Sequence, residues 1–392
     1  MAKKLYAEVG GKTRKAKKGY VSVNDKARKI KKAYVGVDGK ARAFWSGGEL
    51  RCCGTATALS TGMRAIGVST SHHALFASKP YTTVNAYDAS LTRTNPNDLD
   101  YHHSGIYADV RLGAPAGEYA VFTSCCNTSL DGVDLAASAY DSSLTRLKIT
   151  GPKYATFFCA VSASIQSAAI FSGGCDYQES MSADPSWSDS YAVTSGLTFT
   201  RISYVKTGKY PTACSFGTNA LYAGGETRTR GGIYPYIPVR SASAEVFYYN
   251  SSLTVGAAPA LAAGKVDTAS ATNGKYALFA GGSTYKTSGK NSTEIASNTV
   301  DAYDTSLTRT NPTALSAAGT FYGASLGNYA LFASKSNDVN VYDQSLTRTT
   351  LRKLSVERTD VASATIGNYA LYAGGKTSDD NYSNAVDVYT ID

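Results

Sequence analysis

Four histidines, seven cysteines and 30 carboxylates are the side chains of this 392-residue sequence with the most chemistry to offer. The histidines stand in two vicinal pairs, His72-His73 and His102-His103. Neighbours on a strand point to opposite faces, so each pair presents at most one imidazole to a given metal. The cysteines are Cys52, Cys53, Cys125, Cys126, Cys159, Cys175 and Cys214, an odd number with no Cys-x-x-Cys. Such spacing signals neither a disulfide framework nor a zinc site, and suits free thiols buried in a reducing compartment. Two converging acids could hydrolyse a glycosidic bond, but nothing in the spacing singles out a pair. Glycine doublets such as Gly281-Gly282 follow a strand without opening a helix, so they make no phosphate cradle. The expectation is a binding protein: no enzyme, no metal, no cofactor.

The elements that would position a binding site are repeats. One phrase, a short strand, reads His73-Ala-Leu-Phe-Ala77, Tyr119-Ala-Val-Phe-Thr123, Tyr276-Ala-Leu-Phe-Ala280 and Tyr329-Ala-Leu-Phe-Ala333. Its aromatic recurs at 76, 122, 171, 222, 279, 332 and 372. A second phrase follows it, as in Val84-Asn-Ala-Tyr-Asp88 and Val300-Asp-Ala-Tyr-Asp304, with weaker copies around Tyr191 and Phe247. A turn and a third strand come next, as in Ser306-Leu-Thr-Arg309, and a fourth strand precedes each first phrase. The Asp and Ser of these turns, Asp304 with Ser306 for instance, fit side chains that bond the turn backbone. Four strands per unit, seven times, predict an all-β chain whose blades surround an axis: a seven-bladed β-propeller over 47–392. The last unit ends one strand short, and residues of about 50–60 resemble the outer strand and following loop of other units. The expectation is that this N-terminal segment pairs with the last blade and closes the ring.

Residues 1–46 form a different repeat. Three units of about 14 residues each offer a short strand, a two-residue turn and a basic strand, with turns at Gly10-Gly11, Asn24-Asp25 and Asp38-Gly39. Three β-hairpins are expected, with Val37 opposite Lys40 and Val35 opposite Arg42. The formal charge of +9 lies almost entirely here. Residues 1–46 carry 14 basic and three acidic side chains, and the rest carries 25 and 27. The basic set, Lys12, Arg14, Lys26, Arg28, Lys40 and Arg42 above all, is expected to anchor the chain to an acidic surface. No aromatic interleaving suited to base stacking accompanies it, which argues against nucleic acid. No apolar run reaches the roughly 20 residues of a membrane span, and Met1-Ala2-Lys3-Lys4 leads into no signal-peptide core.

The period of about fifty and the glycine doublets Gly173-Gly174, Gly224-Gly225, Gly281-Gly282 and Gly374-Gly375 resemble Kelch repeats. Ser78-Lys79, Ser124-Cys125 and Ser334-Lys335 replace the doublet in three units, and the late Trp of a Kelch unit is absent. Lys-rich YVGVDGKAR hairpins joined to blades of the VDAYDTSLTRT and GNYALFAGG type look like proteins of phages and prophages of Gram-positive gut bacteria. That resemblance implies a virion protein of tail-fibre or receptor-binding type, made in the host cytoplasm. Its partners would be other virion proteins through residues 1–46, and a host-surface glycan or protein through the propeller. A structural decoration or assembly role in capsid or tail, without a host ligand, is the alternative.

Insertions indicate where such a ligand would sit. Three neighbouring units carry long connections between the first and second phrases, about Cys175–Asp189, Glu226–Ser243 and Ser283–Thr299, and these should leave the same face. They hold Tyr177, Trp187, Arg228, Arg230, Tyr234, Tyr236, Arg240 and Tyr285, residue types that combine contact area with hydrogen bonding. Pro235 and Pro238 flank Tyr236 and stiffen its loop. The excess of Tyr, 29 against 12 Phe, points the same way.

Overall fold

The computed structural model describes the strands within 6–46, then residues 50–79, 82–100, 109–125, 134–153, 160–165, 168–173, 190–229, 239–288, 291–379 and 381–391. The chain forms two compact units, residues 1–53 with 389–392, and residues 54–388. In the first, three antiparallel hairpins share one register. Val9 opposes Lys12, Val23 opposes Lys26 and Val37 opposes Lys40. Arg14, Arg28 and Arg42 are paired in register with Ala7, Val21 and Val35.

The second unit is built of four-stranded antiparallel sheets in the order inner, second, third, outer. The inner strands are Arg64–Ser69, Asp109–Ala116, Val161–Ile165, Thr212–Phe216, Ala269–Thr272, Phe321–Leu326 and Ala362–Ile366. Each touches the next, and the last touches the first, so seven blades close a ring. The seventh sheet takes Leu50–Thr55 as its outer strand, and Ala56 and Leu59 donate to the carbonyls of Val386 and Asn384. This is a seven-bladed β-propeller.

Small residues let the inner strands meet. Ser162, Ser270 and Ser363 donate their hydroxyls to the carbonyls of Gly113, Ala213 and Gly323 on the preceding blades. A Cβ on Gly67 would lie 2.1 Å from the Ser363 carbonyl oxygen, and one on Gly323 2.0 Å from that of Ser270. Two residues further along runs a lane of hydroxyls. In it Thr365, Thr272 and Ser164 donate backbone N–H to Ser69, Ser325 and Ser215 of the following blade, at 2.7–2.8 Å.

The third strands show why the chain is rich in Tyr. Tyr87, Tyr140, Tyr303 and Tyr342 donate their hydroxyls to the carbonyls of Thr57, Asn97, Pro259 and Thr313, at 2.6–2.7 Å. These carbonyls belong to the connection entering the same blade. Two positions before each Tyr, Asn85, Ser138, Asp301 or Asn340 accepts an N–H three residues further along that connection. The tyrosine ring also meets the aromatic of the second strand edge to face, as in Phe76–Tyr87 at 6.0 Å and Phe279–Tyr303 at 5.9 Å. Among the described residues, eight tyrosines are fully buried in this way or against a neighbouring blade. Part of the Tyr excess, eight of 29, therefore serves the core. Removing one hydroxyl, as in Tyr303→Phe, is expected to cost about 1 kcal/mol in denaturant unfolding. In blade 4 it is Tyr249, rather than Phe247, that fills the place, and in blade 3 Val193 fills it.

The repeated Asp does bond its turn. Asp88, Asp304 and Asp343 each accept the N–H of the residues two and four positions on, at 2.8–2.9 Å. The turn holds Leu91, Leu144, Leu197, Leu253, Leu307 and Leu346 at φ of 54–63°, a backbone state uncommon for Leu. Their side chains pack against the adjoining core clusters, which offsets that cost.

Two blades carry buried ion pairs. Lys265 Nζ lies 2.9 Å from Asp301 Oδ2, and Arg358 Nη2 lies 2.7 Å from Asp387 Oδ2. Burial raises the Asp301 carboxyl and Lys265 lowers it, with a net lowering. Blades 1 and 6 have Asn85 and Asn340 in place of the Asp, and Met63 and Gly319 in place of the cation. In these four blades a buried Asp faces a buried cation and an Asn faces an uncharged residue, and Arg309 also bonds Asp301 at 2.9 Å.

Cys214 is a free thiol in the core, and burial pushes its pKa up to about 12. The thiolate is the reactive form, so native protein should leave Cys214 unalkylated by iodoacetamide while unfolded protein is labelled, as read by mass spectrometry.

Candidate functional site

Antiparallel strands alternate in direction, so the second-to-third and outer-to-inner connections leave one face of the ring. The tight inner-to-second and third-to-outer turns leave the other. On the first face, two of the long connections fold into hairpins, Glu226–Thr229 with Val239–Ala242 and Ser283–Ser288 with Asn291–Ala296. They pack together, with the Arg240 N–H donated to Ser292 Oγ at 3.0 Å.

Glu226 holds this pair of hairpins. Its side chain is 3% exposed, yet it meets three partners. Arg228 donates Nε–H to Oε1, Tyr285 donates its hydroxyl to Oε2 at 2.7 Å, and Arg240 Nη1 lies 3.8 Å from Oε2. Burial and the bond to Glu226 raise the Tyr285 phenol to about 12. The backbone of Glu226 pairs both ways with Lys209, at 2.8 and 2.6 Å. Lys209 precedes Tyr210, which is 46% exposed at a φ of 54°. The same bridge recurs in blade 5 between Val266 and Ser283, ahead of Asp267 at a φ of 51°. Asp267 is exposed, and crowding by the surrounding chain, then the charges of Glu294 and Glu226, raises its carboxyl pKa.

Of the eight sequence-predicted ligand residues, Arg228, Arg240 and Tyr285 are therefore brought together. Tyr177, Trp187, Arg230, Tyr234 and Tyr236 lie outside the described residues. The three that meet do so around a buried carboxylate that sequence reasoning missed. Arg228 is largely taken up by Glu226, whereas the Arg240 side chain remains 47% exposed. Sequence reasoning also missed Tyr204, Tyr210 and Tyr382. The anchoring residues Lys12, Arg14, Lys26, Arg28, Lys40 and Arg42 lie in the hairpin strands of the first unit.

Among the described residues, five large apolar side chains are exposed: Tyr204, Tyr210, Ile295, Val356 and Tyr382. All five stand on connections of the hairpin-bearing face. On the opposite face, His72 Nε2 lies 3.1 Å from Glu118 Oε2 in an exposed pair. Burial, then the neighbouring His72, lowers the pKa of His73. His102-His103 lies outside the described residues, and among the described residues no group of acids, His and Cys is arranged to hold a metal.

A cavity of about 460 Å³ occupies the propeller axis. Its lining is uncharged and includes Ser69, Ser164, Ser215, Thr272, Ser325 and Thr365. Several of these hydroxyls already bond between blades.

No family model matches the chain, and no curated protein is similar to it. Solved structures do match, 516 chains in all, and such a widespread shape leaves function to the site. One of them is the structure of YjhT, with a TM-score of 0.51 and 10% identity over 86% of this chain and 99% of that one. At that identity the likeness is one of fold, and it is the likeness of one β-propeller to another.

Proposed function

We propose that the chain is a non-enzymatic recognition protein of a bacteriophage particle, held through residues 1–46 and turning one propeller face to the host envelope. The observation that carries this reading is the placement of all five exposed large apolar side chains on the hairpin-bearing face. Scattered exposed apolar residues are ordinary, but their confinement to one face is what a recognition surface requires. The charge split supports the division of labour, with the surplus of basic residues in the hairpin module. The Kelch-like character rests on the glycine doublets. Gly224 and Gly225 have φ of 70° and 107°, and a Cβ on Gly224 would lie 2.4 Å from the carbonyl oxygen of Lys265, in the connection entering the next blade.

The test is binding of the full chain to envelope preparations of Gram-positive gut bacteria. Tyr204→Ala combined with Tyr382→Ala should weaken binding at least tenfold, and Glu118→Ala on the opposite face should leave it unchanged. Absence of binding to every envelope tried, or equal loss from both faces, would contradict the reading.

A further inference from the structure

Residues 1–46 repeat one design three times. Val9 pairs with Lys12 and Ala7 with Arg14 in the first hairpin, and Val23 with Lys26 and Val21 with Arg28 in the second. The third pairs Val37 with Lys40 and Val35 with Arg42. Among the described residues, each hairpin is a sheet of two strands and no more. A sheet that small is marginal in water and calls for a surface to pack against. Four residues separate the first hairpin from the second, and two separate the second from the third. At about 3.5 Å per residue, the adjoining ends lie within roughly 17 and 10 Å of each other. The three hairpins therefore meet one continuous surface.

Charge says what that surface is. Residues 5–18 and 19–32 each carry five cations against one acid, and residues 33–46 carry two against one. A second copy of the chain would bring the same surplus and be repelled, so the complement is acidic. Residue type narrows it further. Every hairpin sets a small aliphatic residue opposite both a Lys and an Arg, and each contains one Tyr, at 6, 20 and 34. Phosphates are met by cations alone, whereas a protein interface joins apolar contact to charge. We infer that residues 1–46 form a multivalent clamp for a continuous acidic protein surface, with each hairpin adding its own share of the binding.

The inference rests on the reading that residues 1–46 hold the chain to its particle, and the test keeps the two apart. The full chain is applied to an immobilised glutamate–tyrosine copolymer, which offers acid and apolar rings together. Polyglutamate, duplex DNA and phosphatidylglycerol vesicles stand beside it at the same physiological salt. The expected result is tightest binding to the copolymer. Deleting residues 5–18 or residues 19–32, each a whole unit, should weaken that binding equally, by about tenfold, and deleting both should multiply the losses. Val23→Thr keeps a β-branched strand residue and should weaken copolymer binding about threefold while leaving DNA binding unchanged. All variants are checked for native unfolding temperature. Tighter binding to DNA or to vesicles than to the copolymer overturns the acidic protein surface. Complete loss from one deletion, or no loss from either, overturns the three separate shares. Binding to host envelopes should persist in the chain lacking both units. Its loss there, with the copolymer results as expected, overturns the recognition face and leaves the clamp standing.

Discussion

Arg358→Met should destabilise the propeller by about 3–5 kcal/mol in denaturant unfolding. Arg358 is fully buried and bonds Asp387 at 2.7 Å, the Gly374 carbonyl at 2.7 Å and the Tyr372 carbonyl at 3.0 Å. Removing the guanidinium leaves the Asp387 carboxylate uncompensated in the core, where desolvation outweighs anything a thioether returns. Blade 1 provides the natural remedy, because Met63 and Asn85 stand where blade 7 has Arg358 and Asp387. Adding Asp387→Asn to Arg358→Met should therefore recover about 2 kcal/mol of the loss, an interaction seen only in the double-variant cycle. If the two substitutions simply add, the charge matching between blades has no energetic basis. Blade 5 adds a pH dependence. The Asp301 pKa is lowered in the fold, so its contribution is present above the ordinary carboxylate pKa and is lost as pH falls through the folded value. Lys265→Met should flatten that acid limb.

The second large effect is expected at the axis. Gly323→Ala places a methyl 2.0 Å from the Ser270 carbonyl oxygen, and the obstacle is backbone of a neighbouring inner strand. Neither strand yields without disturbing a ring in which each blade is fixed by two others. A loss of about 3 kcal/mol is expected, at the upper end for overpacking. Ala213→Ser is the contrasting change at the corresponding place in blade 4. It supplies a hydroxyl like those of Ser162, Ser270 and Ser363, each of which already reaches a carbonyl on the preceding blade, and it should leave stability nearly unchanged. Thermal unfolding of the two variants side by side measures the difference. Equal stability would mean that the inner strands are not in the close contact described.

The architecture was legible because repetition multiplies a weak signal. One Ala-Leu-Phe-Ala strand is ambiguous, whereas seven variants of it at similar spacing point to blades. The same repetition made the Asp-Ser turns readable, and the turn hydrogen bonds follow that reading. Other features stayed hidden because they depend on partners far away in sequence. Leu307 gives no sign of positive φ, because what allows it is packing on a core cluster of blades 4 and 5. The pairing of Asp301 with Lys265 and Asp387 with Arg358, against Asn85 with Met63, is written in aligned repeats but requires two repeat positions to be compared together. Tyr shows the limit of composition. Tyr303 and Tyr342 are core, Tyr210 and Tyr382 are surface, and residue type alone does not separate them. Arg228 and Arg240 stand out in the sequence as binding residue types, whereas Glu226, which organises them, carries no local signal because its partners come from two separate hairpins.

The central claim is that one face of the propeller does the recognising. Hydroxyl-radical footprinting of the intact chain, free and bound to host envelope, tests it most directly. The account predicts protection of Tyr204, Tyr210, Ile295 and Tyr382, with His72 on the opposite face reacting equally in both states. Protection centred on His72 and its neighbouring turns, with the four face residues unprotected, would contradict it.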